Sequence, residues 1–123
     1  MNFKTFEPTI NRCNNGKLPR ISLYLVNNQF RFNKYALLHM KITSTSRAKF
    51  HFDNDRKTWL IEVTDNGFKF NMNNTTTPIV QSRAVTEAIR EMFVTDCKTL
   101  YFEIGTPIMQ TDKGTFYPLT IIN

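Results

Sequence analysis

Two cysteines, two histidines and four glycines are all that the 123 residues supply of three types on which much protein chemistry rests. Cys13 and Cys97 are too few for a disulfide scaffold and have no C-x-x-C spacing, so reduced thiols in a cytoplasmic protein are expected. The glycines form neither G-x-x-x-x-G-K-[ST] nor G-x-G-x-x-G, which excludes the usual phosphate-cradling loops. Apolar runs end after a few residues, too short for a membrane-spanning helix. The segment Met1–Pro8 has no apolar core and no small-residue cleavage site, so no secretory signal is expected.

Catalytic groups are equally sparse. Neither His39 nor His51 has a second histidine or a cysteine one helical turn away. His39 falls at the end of a short helix, and His51 alternates with Phe50 and Phe52, which puts it on the wet face of a strand. Asp53 and Asp55 begin like a calcium loop, but the sixth position lacks Gly and the twelfth lacks Glu, so they read as a hairpin turn. Cys97 stands between Asp96 and Lys98 in a helix-to-strand loop, where no basic activation is readable, so a reactive thiol is not expected. No catalytic residue, metal site or cofactor is expected, and the chain does not read as an enzyme.

Acidic residues are missing from one long stretch. Between Pro8 and Phe52 there is none, whereas Arg12, Lys17, Arg20, Arg31, Lys34, Lys41, Arg47 and Lys49 all lie there. Residues 1–69 hold twelve Lys/Arg against five Asp/Glu, and residues 70–123 hold four against five. The net charge of +6 is therefore a property of the front half. Such a field attracts phosphate backbones and releases their counterions. Tyr24, Phe30, Phe32, Tyr35, Phe50 and Phe52 are interleaved with the cations, either as core or as surfaces for unpaired bases.

The eleven Phe and 41% apolar content suffice to close one core. Residues 1–19 read as an extended basic lead-in, broken by Glu7-Pro8, Asn14-Asn15-Gly16 and Leu18-Pro19. Residues 20–123 read as a single domain. Strands are expected over 20–26 and 29–32, joined at Asn27-Asn28, and Asn33 is placed to cap a short helix over 34–40. Strands follow at 49–52, 58–63 and 68–72, with turns at 53–56 and 65–67. After a polar seam at 73–78 come a strand at 79–81, the cap Ser82 and a helix over 83–93. That helix carries an apolar stripe of Ala84, Val85, Ala88, Ile89, Met92 and Phe93. Strands at 99–104 and 115–121 close the chain. The expected class is α+β, mostly β, with two helices.

The order strand, polar cap with a basic residue, helix, strand, strand occurs twice, over about 20–72 and 77–123. The segment Gln29-Phe30-Arg31-Phe32-Asn33-Lys34-Tyr35-Ala36-Leu37-Leu38 resembles the swapped-hairpin fold of the AbrB, MazE and MraZ transcription-factor group, with Asn33 where that group usually has proline. The resemblance implies two paired strand-helix-strand-strand units and a DNA-binding surface of basic residues, onto which Arg31 and Lys34 map. The expected function is a small DNA-binding regulator. Arg31, Lys34, Arg47 and Lys49 would contact phosphate or groove, with Arg12, Lys17 and Arg20 as a basic arm. Duplex and single-stranded targets both stay open, as does a homodimer; no membrane partner is expected. The alternative is a structural or protein-interaction module, for instance an assembly subunit whose basic face meets an acidic partner and whose hairpins leave sheet edges open for self-association.

Overall fold

A computed structural model describes residues 18–72, 77–93, 96–112 and 114–122. In chain order the elements are β1 (Arg20–Tyr24), β2 (Gln29–Phe32), α1 (Lys34–His39), β3 (Arg47–Asp53), β4 (Thr58–Thr64) and β5 (Phe68–Lys69). Then come β6 (Ile79–Gln81), α2 (Arg83–Met92), β7 (Thr99–Ile104), β8 (Met109–Gln110) and β9 (Gly114–Ile121). The expected mostly-β class with two helices is what the described residues form. Most of the 1–19 lead-in, including Arg12 and Lys17, lies outside them.

All strand pairings are antiparallel, and the sheet runs β5-β3-β4-β9-β7-β1-β2-β6, with β8 added beside β9. Its two ends then approach each other. Asn71, just beyond β5, pairs with Ile79 of β6 through two backbone hydrogen bonds of 2.6 and 3.1 Å. The sheet is therefore nearly closed, and strand alternation divides its residues into an inner and an outer set.

The inner set is aromatic. Phe30, Phe32, Phe70, Phe102, Ile21, Leu23, Ile61 and Val80 are all at most 1% exposed. Phe30 meets Phe50 at 4.7 Å between ring centroids, and Phe32 meets Phe70 edge-on at 5.1 Å. Each such pair adds about 0.5–1.5 kcal/mol beyond area burial. These contacts tie β2 to β3 and to the end of β5, strands that share no ladder.

Both helices begin at the expected caps. Asn33 Oδ1 accepts from the Ala36 N–H at 2.8 Å and from the Arg20 N–H at 3.2 Å, while Nδ2 donates to the Leu18 carbonyl at 2.8 Å. Asn33 thus starts α1 and fastens the entry of β1. Its own N–H donates to the Arg20 carbonyl at 3.1 Å, a bond that proline could not make. Ser82 Oγ accepts from Val85 N–H at 3.2 Å and starts α2. His39 closes α1 by donating from Nε2 to the Gly105 carbonyl at 2.8 Å, with its ring against Tyr117.

Local details differ from the pattern reading. Leu25 and Val26 belong to the β1–β2 turn, with Asn28 at φ 59°, because β1 pairs with β7 only as far as Tyr24. The inward face of α2 is Val85, Thr86, Ala88 and Ile89; Thr86 is fully buried, its hydroxyl donating to the Ser82 carbonyl at 2.8 Å. Ala84, Met92 and Phe93 are exposed. Strand β8 carries no sequence signal beyond two residues and pairs only with β9.

Replacement Asn33→Ala removes the cap and the Leu18 tie together, and should cost about 1–2 kcal/mol in urea unfolding. Ser82→Ala, which loses the cap alone, should cost about 1 kcal/mol. Burial raises the Tyr117 hydroxyl above its ordinary pKa of 10.0. The unfolded chain then releases this proton first as pH rises, so the stability that the neutral phenol contributes is intact below about pH 10 and declines above it. Tyr117→Phe should flatten that alkaline decline in denaturant melts.

Candidate nucleic-acid interface

The outer residues of adjacent strands can be followed from register alone. On β3 they are Arg47, Lys49, His51 and Asp53, because Ala48, Phe50 and Phe52 turn to the core. Arg47 stands directly opposite Lys69 of β5. Two residues on, Asn71 stands opposite Ile79, which in turn stands opposite Arg31 of β2. Arg31 faces Ser22 of β1, and Ser22 faces Tyr101 of β7. Arg47, Lys69, Arg31 and the two tyrosines Tyr24 and Tyr101 therefore share one outer band across β3, β5, β6, β2, β1 and β7.

Like charges directly opposed on a sheet are unfavourable by roughly 0.2–1 kcal/mol, and Arg47 with Lys69 is such a pair. Arg47 directs Nη1 toward the Gly67 carbonyl at 3.4 Å. Gly67 makes this approach feasible: at φ 135° it brings the turn so close to β3 that a Cβ there would sit 2.5 Å from the Ala48 carbonyl. Arg31 is exposed, with its guanidinium 4.8 Å from the centroid of the Tyr24 ring and Nη2 donating to Gln29 at 3.3 Å. A cation held on a ring face gains about 0.5–1 kcal/mol at an exposed site.

Two depressions lie along the band. One, of about 220 Å³, is lined by Ser22, Tyr24, Arg31, Asn33 and Thr77. The other, of about 610 Å³, is lined by Ser44, Lys69, Phe70, Asn71 and Met72. Carboxylates stand at both ends of the band. Glu103 lies 3.8 Å from the Arg20 guanidinium, and Glu62 is the cross-strand partner of Lys49. Glu62 is 6% exposed, accepting from His51 Nε2 at 2.9 Å. This is the outward position expected for His51.

The structure thus brings together Arg31 and Arg47 from the sequence-derived set. Lys34 opens α1, with Nζ 5.2 Å above the Tyr35 ring. Arg20 has its charge compensated by Glu103, Lys49 stands opposite Glu62 in register, and Arg12 and Lys17 lie outside the described residues. Lys69 and Tyr101 were missing from the sequence set. Tyr101 has a local signal, since it alternates with Leu100 and Phe102, but its neighbours Ser22 and Arg31 are set only by the β7–β1–β2 pairing. Among the described residues no group of three His, Cys, Asp or Glu side chains is arranged to hold a metal ion. Nor, among those residues, is any helix long and apolar enough to cross a membrane.

No protein-family model, curated protein or solved structure matches the chain. Its geometry is therefore the guide to its chemistry.

Gly67→Ala tests the turn that sets Lys69 against Arg47. Backbone strain and the clash with Ala48 should lower stability by about 1–3 kcal/mol, read as a fall in the urea midpoint with the slope unchanged.

Proposed function

We propose that the protein is a non-enzymatic nucleic-acid-binding regulator that contacts DNA through the outer band containing Arg31, Lys69 and Arg47. The observation that carries this reading is the opposed pair Arg47 and Lys69, continued by Arg31 across β5, β6 and β2, three strands that include no carboxylate. An anion laid across the band relieves their repulsion and releases its own counterions. Lys34, at the start of α1, extends the positive field, and Arg12 and Lys17 add to the charge of the front half; Arg20 is held in β1 against Glu103 rather than in a basic arm.

The strand order supports the two-repeat reading that goes with the swapped-hairpin resemblance. Exchanging β1 with β5, β2 with β6, β3 with β7 and β4 with β9 returns the same ring in reverse. Each unit is then a short hairpin, a capped helix and a longer hairpin. On this reading the seam is the Asp65–Gly67 turn rather than residues 73–78, and β8 is an insertion of the second unit. Two units within one chain do what two copies do in the resembled group.

A second reading, a protein-interaction module, draws on a different place. Val26 is 80% exposed and Phe93 38% exposed, and both line one groove of about 450 Å³ beside the end of α2. The near-closure of the sheet works against edge-to-edge assembly, so a partner on this reading meets side chains rather than backbone.

Mobility shift with the full chain separates the two readings. DNA affinity should fall steeply between low and physiological salt. Arg31→Ala combined with Lys34→Ala should weaken all sequences together. Arg47→Ala combined with Lys69→Ala should reduce the slope of log affinity against log salt by about 2, near one per cation. Unaltered retention by both double variants removes the nucleic-acid reading. Light scattering that finds an oligomer indifferent to DNA supports the second.

A further inference from the structure

We infer that the outer face of β7, β1 and β2 is a stacking platform for an unpaired nucleic-acid strand, with Tyr24, Tyr101 and Arg31 supplying the flat surfaces. The inference rests on the nucleic-acid reading above and names the form of nucleic acid that the band takes.

The register fixes the arrangement. Tyr101 is opposite Ser22, and Tyr24 lies two residues further along β1, so the two tyrosines are diagonal neighbours on one face. Diagonal positions on a sheet are about 7–8 Å apart between backbones, within reach of aromatic side chains. Tyr101 is 43% exposed; Ser22 stands beside it with Arg31 beyond, and on its other side its carbonyl accepts from the Ile122 N–H at 3.0 Å. Arg31, already stacked on Tyr24 at 4.8 Å, adds a third planar group whose charge can also pair with a phosphate.

The small side chain of Ser22 matters as much as the rings. It leaves the depression of about 220 Å³ between Tyr24, Arg31, Asn33 and Thr77. A planar base can lower one edge there, toward the hydroxyls of Ser22 and Thr77, while its face lies on a ring. A duplex cannot use these surfaces, because pairing and stacking hide its base faces. It offers a groove that admits a helix or a two-stranded ribbon, whereas this platform is part of a nearly closed wall. From the platform the backbone can continue over Arg31 toward Lys69 and Arg47, two and three strands beyond β2 along the ring. Base faces on the tyrosines and phosphates on the cations are the two halves of single-strand recognition.

The test is fluorescence anisotropy of the full chain with labelled oligothymidylate, oligouridylate and a duplex of equal length, at two salt concentrations. The single strands should bind at least about tenfold more tightly than the duplex. Tyr24→Ala and Tyr101→Ala should each weaken single-strand binding about tenfold, a loss within the range for one stacked base, and leave duplex binding near its original level. Tyr24→Phe and Tyr101→Phe keep the ring and should keep the affinity, which separates stacking from a folding defect. Preference for the thymidylate or the uridylate strand assigns DNA or RNA, and either supports the platform. Duplex binding as tight as single-strand binding, or alanine variants that bind single strands like the original, overturns the platform and leaves the nucleic-acid reading standing. Absence of binding to all three at low salt overturns both.

Discussion

The outer face of the described strands is placed by the near-closure of one antiparallel sheet around a phenylalanine core. The backbone pair between Asn71 and Ile79 joins the two ends of the ring. Without it, β5 and β6 would be short edges, each with one partner strand. The side-chain counterpart is the contact of Phe32 with Phe70 and of Phe30 with Phe50, which holds β2 against strands it does not hydrogen-bond. Once the inner positions are filled, strand alternation leaves no choice for the rest. Each cation or tyrosine at an odd step must face out.

That constraint explains why the cations form a band. Strands β3, β5, β6 and β2 are neighbours only in the near-closed sheet, and β3 and β2 are separated in the chain by α1 and a polar loop. Their outer side chains meet across two very short strands, which carry Lys69, Ile79 and Gln81. Carboxylates stand at the margins: Asp53 ends β3, Glu62 on β4 holds His51, and Glu103 on β7 compensates Arg20. The half-exposed Arg20–Glu103 pair contributes little to stability. The carboxylates limit where the positive potential is strongest.

The helices serve the same architecture through their first residues. Asn33 joins three segments: the lead-in at Leu18, the start of β1 and the start of α1. Ser82 does the capping alone, and its backbone N–H donates to the Asn28 carbonyl at 3.1 Å, so α2 is tied to the β1–β2 turn. Each helix is thereby anchored to a hairpin of the wall. The exposed Met92 and Phe93 mark where α2 passes beyond that anchorage.

The sequence by itself determined the strand and helix order apart from β8, both caps, the Asn27-Asn28 turn and the outward position of His51. These are local properties: side-chain alternation, the reach of a short polar side chain to a nearby N–H, and the tolerance of Asn for positive φ. It also located the excess positive charge in the front half. The tertiary structure alone decided which cations meet, because Arg47 and Lys69 come from strands paired across a turn at Gly67, and Arg31 joins them only through β6. It also decided that Arg20 and Lys49 face carboxylates, and that Tyr101 from the rear half stands beside Tyr24 and Ser22. Strand pairing is a long-range choice made by filling one shared core, and no residue carries a local mark of the neighbour it will find across a ladder.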